Sequence, residues 1–198
     1  MTGYFITFEG IDGSGKTTIS QQVYKRLRKK NRDIILTREP TDTWRGEMVT
    51  KAVEKKCHPL TIALTFMADR NEHVIQIRKW LEHKSLVLCD RYMDSTFAYQ
   101  TVQLSPYMKN PLGWLQTIHH LFDLQPDITF LFIIEPQKAL QRIKRKRSAF
   151  EKKDFLERVQ KNYVSLAKKD TRFSILDARL SIEELTQKCI DKIGQIRE

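Results

Sequence analysis

The octapeptide Gly10-Ile11-Asp12-Gly13-Ser14-Gly15-Lys16-Thr17 is the stretch of this chain best equipped for chemistry. It fits G-x-x-x-x-G-K-[ST], the loop that joins a strand to a helix and cradles phosphate groups. Glycine at positions 10, 13 and 15 lets the backbone curl until successive N–H groups point at phosphate oxygens, and the helix that follows adds its positive N-terminal end. Lys16 supplies a point charge where the β and γ phosphates of a nucleoside triphosphate separate, and the Thr17 hydroxyl is a ligand for the magnesium that accompanies them. The expected ATP-binding set is therefore Gly10, Ile11, Asp12, Gly13, Ser14, Gly15, Lys16, Thr17 and Thr18. A chance glycine-rich turn with a surface lysine would match the spacing without the flanking strand and helix, and here both flanks are present.

A second acidic partner for the metal belongs at the end of a neighbouring strand, and Leu86-Val87-Leu88-Cys89-Asp90 is an apolar run that ends in a carboxylate. Asp90 is that candidate, acting through a bound water; its plainer reading is a turn residue that ends a strand. Arg38, Arg70 and Arg91 lie in or beside the same kind of segment and could hold a second anion opposite the triphosphate. Arg38 and Arg91 could equally be surface charges.

Five short runs rich in apolar, β-branched or aromatic residues read as buried strands: 4–8, 33–37, 85–89, 128–134 and 173–176. Helical patterns alternate with them, the clearest being Ile19, Val23 and Leu27 at four-residue spacing with Lys25, Arg26, Arg28 and Lys29 on the other faces. Near-continuous apolar strands joined by helical crossovers imply a parallel sheet covered on both sides, with ligands at the carboxyl ends of its strands. Residues 106–111 read as a loop between two helices. There is no internal repeat, low-complexity tract or flexible linker, and the one compositional shift is the basic run 144–153.

With 198 residues the chain fits one α/β domain. No apolar run approaches the roughly 20 residues that span a bilayer, and the first strand starts too near Met1 to leave room for a leader peptide, so the expected location is the cytoplasm. Cys57, Cys89 and Cys189 are odd in number and far apart, which suits reduced, mostly buried thiols better than a redox pair or zinc knuckle. His119 and His120 lack other ligand types at metal spacing and read as packing or surface residues. A net charge of +11 favours an acidic partner without saying which.

Three classes of phosphate-loop protein remain to be weighed. A GTP switch carries N-K-x-D to read guanine, and this chain has none. A nucleic-acid-dependent ATPase would use the positive charge, but no aromatic-and-basic RNA motif accompanies it, so no nucleic-acid partner is expected. A small-molecule kinase needs arginines near strand ends and a flap that excludes water, and Arg38, Arg70 and Arg91 occupy such places.

Phe8-Glu9-Gly10-Ile11-Asp12-Gly13-Ser14-Gly15-Lys16-Thr17-Thr18, Arg38-Glu39-Pro40, Ala68-Asp69-Arg70, and Asp90-Arg91-Tyr92 followed by Ser95, Ala98, Tyr99 and Gln100 occur in this order across nearly the whole chain. Together they resemble the thymidylate kinase family of nucleoside monophosphate kinases. The resemblance implies the P-loop kinase, adenylate-kinase-like fold: a five-stranded parallel sheet flanked by helices, forming a single domain over 1–198 with a short basic lid near 142–150. It implies transfer of phosphate from ATP, with magnesium, to dTMP, giving dTDP for dTTP biosynthesis. The alternatives are another pyrimidine nucleoside or deoxynucleoside monophosphate as acceptor, or an ATP-dependent nucleic-acid-binding protein. A homodimer is expected on the same ground alone.

By the same resemblance, Phe66 stacks on the thymine ring, Arg70 donates to a base carbonyl and Gln100 bonds the base edge. Ser95 joins the dTMP site, Arg38 and Arg91 grip the acceptor phosphate, Asp12 faces the acceptor sugar or phosphate through the metal shell, and Tyr99 crowds the sugar 2′ position. Spacing alone would also let Phe66 be a helix-core residue and Tyr99 a core aromatic beside Phe97. Some family members carry a basic residue in the loop where this chain has Gly13, and others supply that charge from the lid. The run Arg142-Ile143-Lys144-Arg145-Lys146-Arg147 points to the second arrangement, with Arg145 or Arg147 reaching the transferring phosphoryl group and Lys144 and Lys146 facing solvent. Two departures stand out: Thr41-Asp42-Thr43-Trp44 replaces the family's frequent Gly-Gly-Thr after Arg38-Glu39-Pro40, and the lid is short.

Overall fold

A computed structural model describes residues 3–29, 33–83, 85–122, 124–143 and 152–196. Its five strands are β1 (Tyr4–Gly10), β2 (Ile34–Arg38), β3 (Leu86–Asp90), β4 (Ile128–Ile133) and β5 (Phe173–Asp177). All four pairings are parallel, and the spatial order is β2-β3-β1-β4-β5. Each strand lies within two residues of the segment expected from apolar patterning. The largest difference is at β1, which continues through Glu9 and Gly10 because both stay in register with Leu131 and Phe132 of β4. A buried carboxylate thus occupies a strand position that an apolar pattern could not include.

The crossovers carry α1 (Lys16–Arg28), α2 (Trp44–Glu54), α3 (Pro59–Glu82), α4 (Met93–Leu104), α5 (Pro111–His119), α6 (Pro136–Arg142) and α7 (Lys153–Ala167), and α8 (Ile182–Gln195) follows the last strand. Side chains of a strand alternate between faces, and that alternation sorts the core. Ile6 and Phe8 of β1 and Leu86 and Leu88 of β3 join Ile19 and Val23 of α1 and Leu185, Cys189 and Ile193 of α8. The intervening Phe5, Val87 and Cys89 join Ala63, Met67, Val74 and Ile77 of α3 and Leu115 of α5. Burying side chains such as Ile6, Phe8 and Leu88 completely stabilises the fold by about 1.5–3 kcal/mol each.

Helix ends are set locally. Pro59 and Pro111 open α3 and α5, where the missing N–H costs nothing. Ser181 and Glu184 form a reciprocal capping box at α8, in which the Glu184 amide donates to Ser181 Oγ and the Ser181 amide to Glu184 Oε2. Removing such a cap costs about 1 kcal/mol. Cys89 and Cys189 are buried free thiols and Cys57 is half-buried. No helix of the described residues is long and apolar enough to cross a membrane.

Candidate active site

The carboxyl ends of β1 and β3 lie side by side, with Phe8 in register with Asp90, so the phosphate loop and the Asp90-Arg91-Tyr92 turn open on the same edge of the sheet. Gly10, Gly13 and Gly15 all have positive φ, at 146°, 81° and 94°. At Gly13 space is also tight: a Cβ there would stand 2.2 Å from the carbonyl oxygen of Ala139 in α6. Gly15 hands the chain to α1, whose first turn has neither an acidic residue nor a side-chain cap. Its orphan N–H groups therefore remain available to an anion.

Lys16 is 5% exposed, and its Nζ lies 3.4 Å from the Ile11 carbonyl and 4.0 Å from Asp12 Oδ1. Burial, and then the charge of Arg91, pull its pKa from 10.5 to about 8 against the carboxylates of Asp12, Asp90 and Glu9. The loop thus holds a buried cation whose nearest carboxylate, Asp12, stands at the long limit of an ion pair, which leaves the Lys16 charge to be compensated by a phosphate.

Thr17 Oγ1 donates to Asp90 Oδ2 at 2.5 Å. Asp90 Oδ1 and Ser14 Oγ are buried and have no hydrogen-bond partner among the described residues. Buried polar atoms are rarely left unpaired, so an orphan carboxylate oxygen beside a threonine hydroxyl suits a hard cation or one of its waters. The donor set of Thr17 and Asp90 fits magnesium.

Arg91 stands at φ 69°, and that turn aims its guanidinium back at the phosphate loop. Its Nη2 donates to Asp12 Oδ1 at 2.5 Å and its Nη1 to Ser95 Oγ at 3.2 Å. Asp12 is also tied to Tyr99, whose hydroxyl accepts from the Asp12 amide at 3.0 Å and donates to Oδ2 at 3.1 Å. Tyr99 is buried, and the Arg91 guanidinium lies over its ring at 5.3 Å. Its ring is therefore a core aromatic while its hydroxyl belongs to the site. Ser95 Oγ donates onward to Glu9 Oε2.

Arg38 turns the other way. It is largely exposed and pairs with Asp42 through Nη2, with Nε at 3.2 Å. Asp42 is one of the residues that replace the family's frequent glycines, so the departure supplies this arginine with a partner. Thr41, in the same loop, is anchored to α3: its amide and its Oγ1 donate to the two oxygens of Asp69 at 2.8 and 2.5 Å.

Arg70 is 1% exposed and spends its donors on protein acceptors. Nε and Nη2 donate to Glu39 Oε2, Nη2 also to the Tyr92 carbonyl at 3.1 Å, and Nη1 to Thr96 Oγ1 at 2.8 Å and His119 Nε2 at 3.1 Å. Burial opposes both charges, but Glu39 holds the guanidinium pKa above its ordinary value, and Arg70 with His73 holds Glu39 below its own. Burial and the Arg70 charge drive the His119 pKa down to about 2, so its ring is neutral and its Nε2 accepts a hydrogen bond from Arg70 Nη1. A contact from Arg70 to a base requires Nη1 to exchange Thr96 or His119 for the base carbonyl. Phe66 lies half-buried one helical turn earlier, and Gln100 is buried with its Nε2 donating to Gln103 Oε1 at 3.0 Å. Thr18 is exposed on α1.

Beside the loop opens a cavity of about 770 Å³, lined by residues from Asp12 to Ile19, by Arg142 and Ile143, and by Ala178, Leu180 and Ser181 before α8. Arg142 Nη1 is fixed to the Ala178 carbonyl at 3.1 Å. Arg145 and Arg147 lie outside the described residues.

Sequence patterns did not single out Glu9, His73, Thr96, His119 or Tyr163 as part of the site. One signal was available: Glu9 interrupts an apolar strand, and a carboxylate inside a sheet demands partners.

A family model described as "Thymidylate kinase" matches residues 8–189. A protein named "Probable thymidylate kinase" from Methanoculleus marisnigri is 43% identical over 186 residues, covering 92% of this chain and 90% of that protein. Another of that name, from Methanococcoides burtonii, is 38% identical over 202 residues and covers 100% of both. Among solved structures, thymidylate kinase from Ehrlichia chaffeensis superposes with a TM-score of 0.78 at 30% identity, over 98% of this chain and 100% of that one.

Proposed function

The chain belongs to the thymidylate kinase family, and from that premise we propose that it transfers the γ-phosphoryl group of ATP to the phosphate of dTMP, releasing ADP and the dTDP from which dTTP is made. The observation that carries this reading is the bond between the two halves of the site. Arg91, the acceptor-side cation, and Asp12, in the phosphate loop, are joined at 2.5 Å. A second phosphate can therefore be held directly opposite the first.

No side-chain nucleophile is needed, because an oxygen of the acceptor phosphate attacks the γ-phosphorus directly. The protein aligns the two phosphates and stabilises the charge that develops between them. Lys16 and the amides of Gly13 to Thr17 hold the β and γ phosphates. Arg91 holds the acceptor phosphate, and Arg38 joins it by leaving the exposed Asp42. Thr17 and Asp90 would hold magnesium, which when bound neutralises phosphate charge. Arg145 or Arg147 is assigned to the transferring group, and with the bound substrates the basic segment excludes water.

On the acceptor side Phe66 offers a flat apolar ring, Arg70 and Gln100 offer polar edge groups, and Ser95 lines the approach. The Tyr99 hydroxyl, held by Asp12, crowds the sugar 2′ position and favours deoxyribose. We assign this work to the cytoplasm. A homodimer is supported by α2 and α3, which pack together and expose Trp44, Met48, Leu64 and Ile75.

Diphosphate formation from dTMP, dUMP, UMP, CMP, AMP and GMP, with ATP and magnesium, tests the proposal. We expect dTMP to have the highest kcat/KM. Preference for another monophosphate would keep the kinase and overturn the acceptor; absence of any diphosphate would overturn both.

A further inference from the structure

Glu9 is wholly buried near the end of β1. Its carboxylate accepts four hydrogen bonds: from the Tyr92 amide at 2.7 Å, the Ser95 amide at 3.2 Å, Ser95 Oγ at 2.6 Å and Tyr163 Oη at 2.9 Å. Two of these donors are amides at the start of α4, that of its N-cap residue Tyr92 and that of Ser95, which also donates to the Tyr92 carbonyl at 3.1 Å; Tyr92 supplies no side-chain cap. Glu9 therefore caps α4 from another strand. The fourth donor belongs to α7, which begins just beyond the basic lid segment.

We propose that Glu9 is a positioning residue for phosphoryl transfer, its carboxylate setting the direction of the Ser95 hydrogen bond that anchors Arg91 and tying the helix after the lid to the acceptor site. The inference rests on the proposed role of Arg91 at the acceptor phosphate. Ser95 Oγ also lies 2.8 Å from Tyr163 Oη; while Glu9 is ionised it can only accept, so Ser95 and Tyr163 both turn their hydroxyl protons to it and the Ser95 lone pairs face Arg91 Nη1. A neutral group in its place donates to Ser95 instead and competes with Arg91 for those lone pairs. Arg91 then keeps Asp12 but loses its fixed second anchor.

The charge of Glu9 is finely balanced. Burial, followed by the Asp94 carboxylate, pushes its pKa up to about 7, against the Ser95 hydrogen bond, the Arg91 charge and the Tyr92 amide. The other titratable groups that act on it or respond to it are Lys16 on α1, Arg70 on α3, Cys89 on β3 and Tyr163 on α7. Asp94 itself is paired with Arg172 at 2.8 Å.

The test is the pH profile of dTDP formation in the wild type, Glu9→Gln and Tyr163→Phe. A glutamine side chain at this position still offers partners to the same neighbours, so the E9Q protein should fold; it should resemble the wild type with Glu9 protonated. We expect wild-type kcat/KM for dTMP to fall as pH drops through about 7. In E9Q it should be about tenfold lower at pH 8.5, with its acidic limb withdrawn to about pH 6, where the substrate phosphates themselves titrate, and with KM for ATP changed by less than about threefold. Tyr163→Phe removes a donor to the carboxylate, which raises the Glu9 pKa and should move the acidic limb to higher pH. A folded E9Q variant with the wild-type kcat/KM, or with the wild-type limb intact, overturns the proposal. Should E9Q not fold, an unmoved limb in Y163F overturns it and a limb moved to higher pH supports it. If the wild type makes no dTDP, the proposed function fails before any variant is compared.

Discussion

Replacing Lys16 by methionine should make the ligand-free protein more stable while removing its activity. A fall in pKa from 10.5 to about 8 corresponds to about 3 kcal/mol by which the folded, empty site disfavours the lysine charge. Methionine matches the length and apolar stem of lysine and carries no charge. At pH 7 denaturant unfolding should therefore show K16M more stable than wild type by about 1–3 kcal/mol, some of the gain being lost to imperfect packing. The sign of the pH dependence is fixed. Between about 8 and 10.5 the unfolded chain still binds the Lys16 proton and the folded chain does not, so this residue's contribution to wild-type stability rises with pH. The gap between wild type and K16M should close across that window. Turnover should fall by about 10²–10³-fold or more, because the lost charge acts on the separating phosphates. A variant that is less stable than wild type at pH 7, or a gap that does not narrow with pH, would refute the reasoning about burial. Normal turnover would remove the loop from the mechanism.

Gly13→Ala combines a left-handed backbone with a Cβ 2.2 Å from the Ala139 carbonyl, so the variant should lose about 3 kcal/mol in denaturant unfolding; an unchanged midpoint would show that α6 gives way freely. Arg70→Ala strips the buried Glu39 of its partner and should cost about 3–5 kcal/mol of stability besides acceptor recognition; a full-stability variant with only a raised KM for dTMP would contradict the buried pair. Of Arg145→Ala and Arg147→Ala, one should lower kcat about a thousandfold with little change in KM for dTMP, read by steady-state kinetics; two near-wild-type variants would leave the transferring group's charge to another residue.

The parts of this molecule legible in its sequence are those encoded over short distances. Strand β3 announces itself as Leu86 to Asp90, and the phosphate loop joins its strand and helix directly. The balance of the acceptor site is hidden because it is written in pairs far apart along the chain. Glu9 meets Tyr163 across 154 positions, Arg70 meets His119 across 49, and Arg91 meets Asp12 across 79. No periodicity carries such pairings; they follow only once parallel strands have placed their carboxyl ends together. The reading of Arg70 as an edge donor for a base shows the difference. Its position one turn after Phe66 is a local fact, whereas its commitment to Glu39, Thr96 and Tyr92 is a tertiary one that changes what the residue must give up in order to bind.

Gly13 shows how packing constrains where catalytic charge can reside. A side chain there would need to pass the backbone of α6, since Ala139 presents its carbonyl oxygen, carbonyl carbon and Cα within 3.1 Å of where a Cβ would stand. Backbone cannot step aside as the end of a flexible side chain can, so the loop of this chain has no room for a basic residue at that position. On the proposed mechanism, the additional cation for phosphoryl transfer comes from outside the loop. Helix α6 leads straight into the basic run, and Arg142 at its end already lines the nucleotide cavity, held by the Ala178 carbonyl. The contact that closes position 13 to a side chain is thus made by the helix whose end also carries Arg142, so moving that helix to admit a residue in the loop would disturb the wall of the neighbouring cavity.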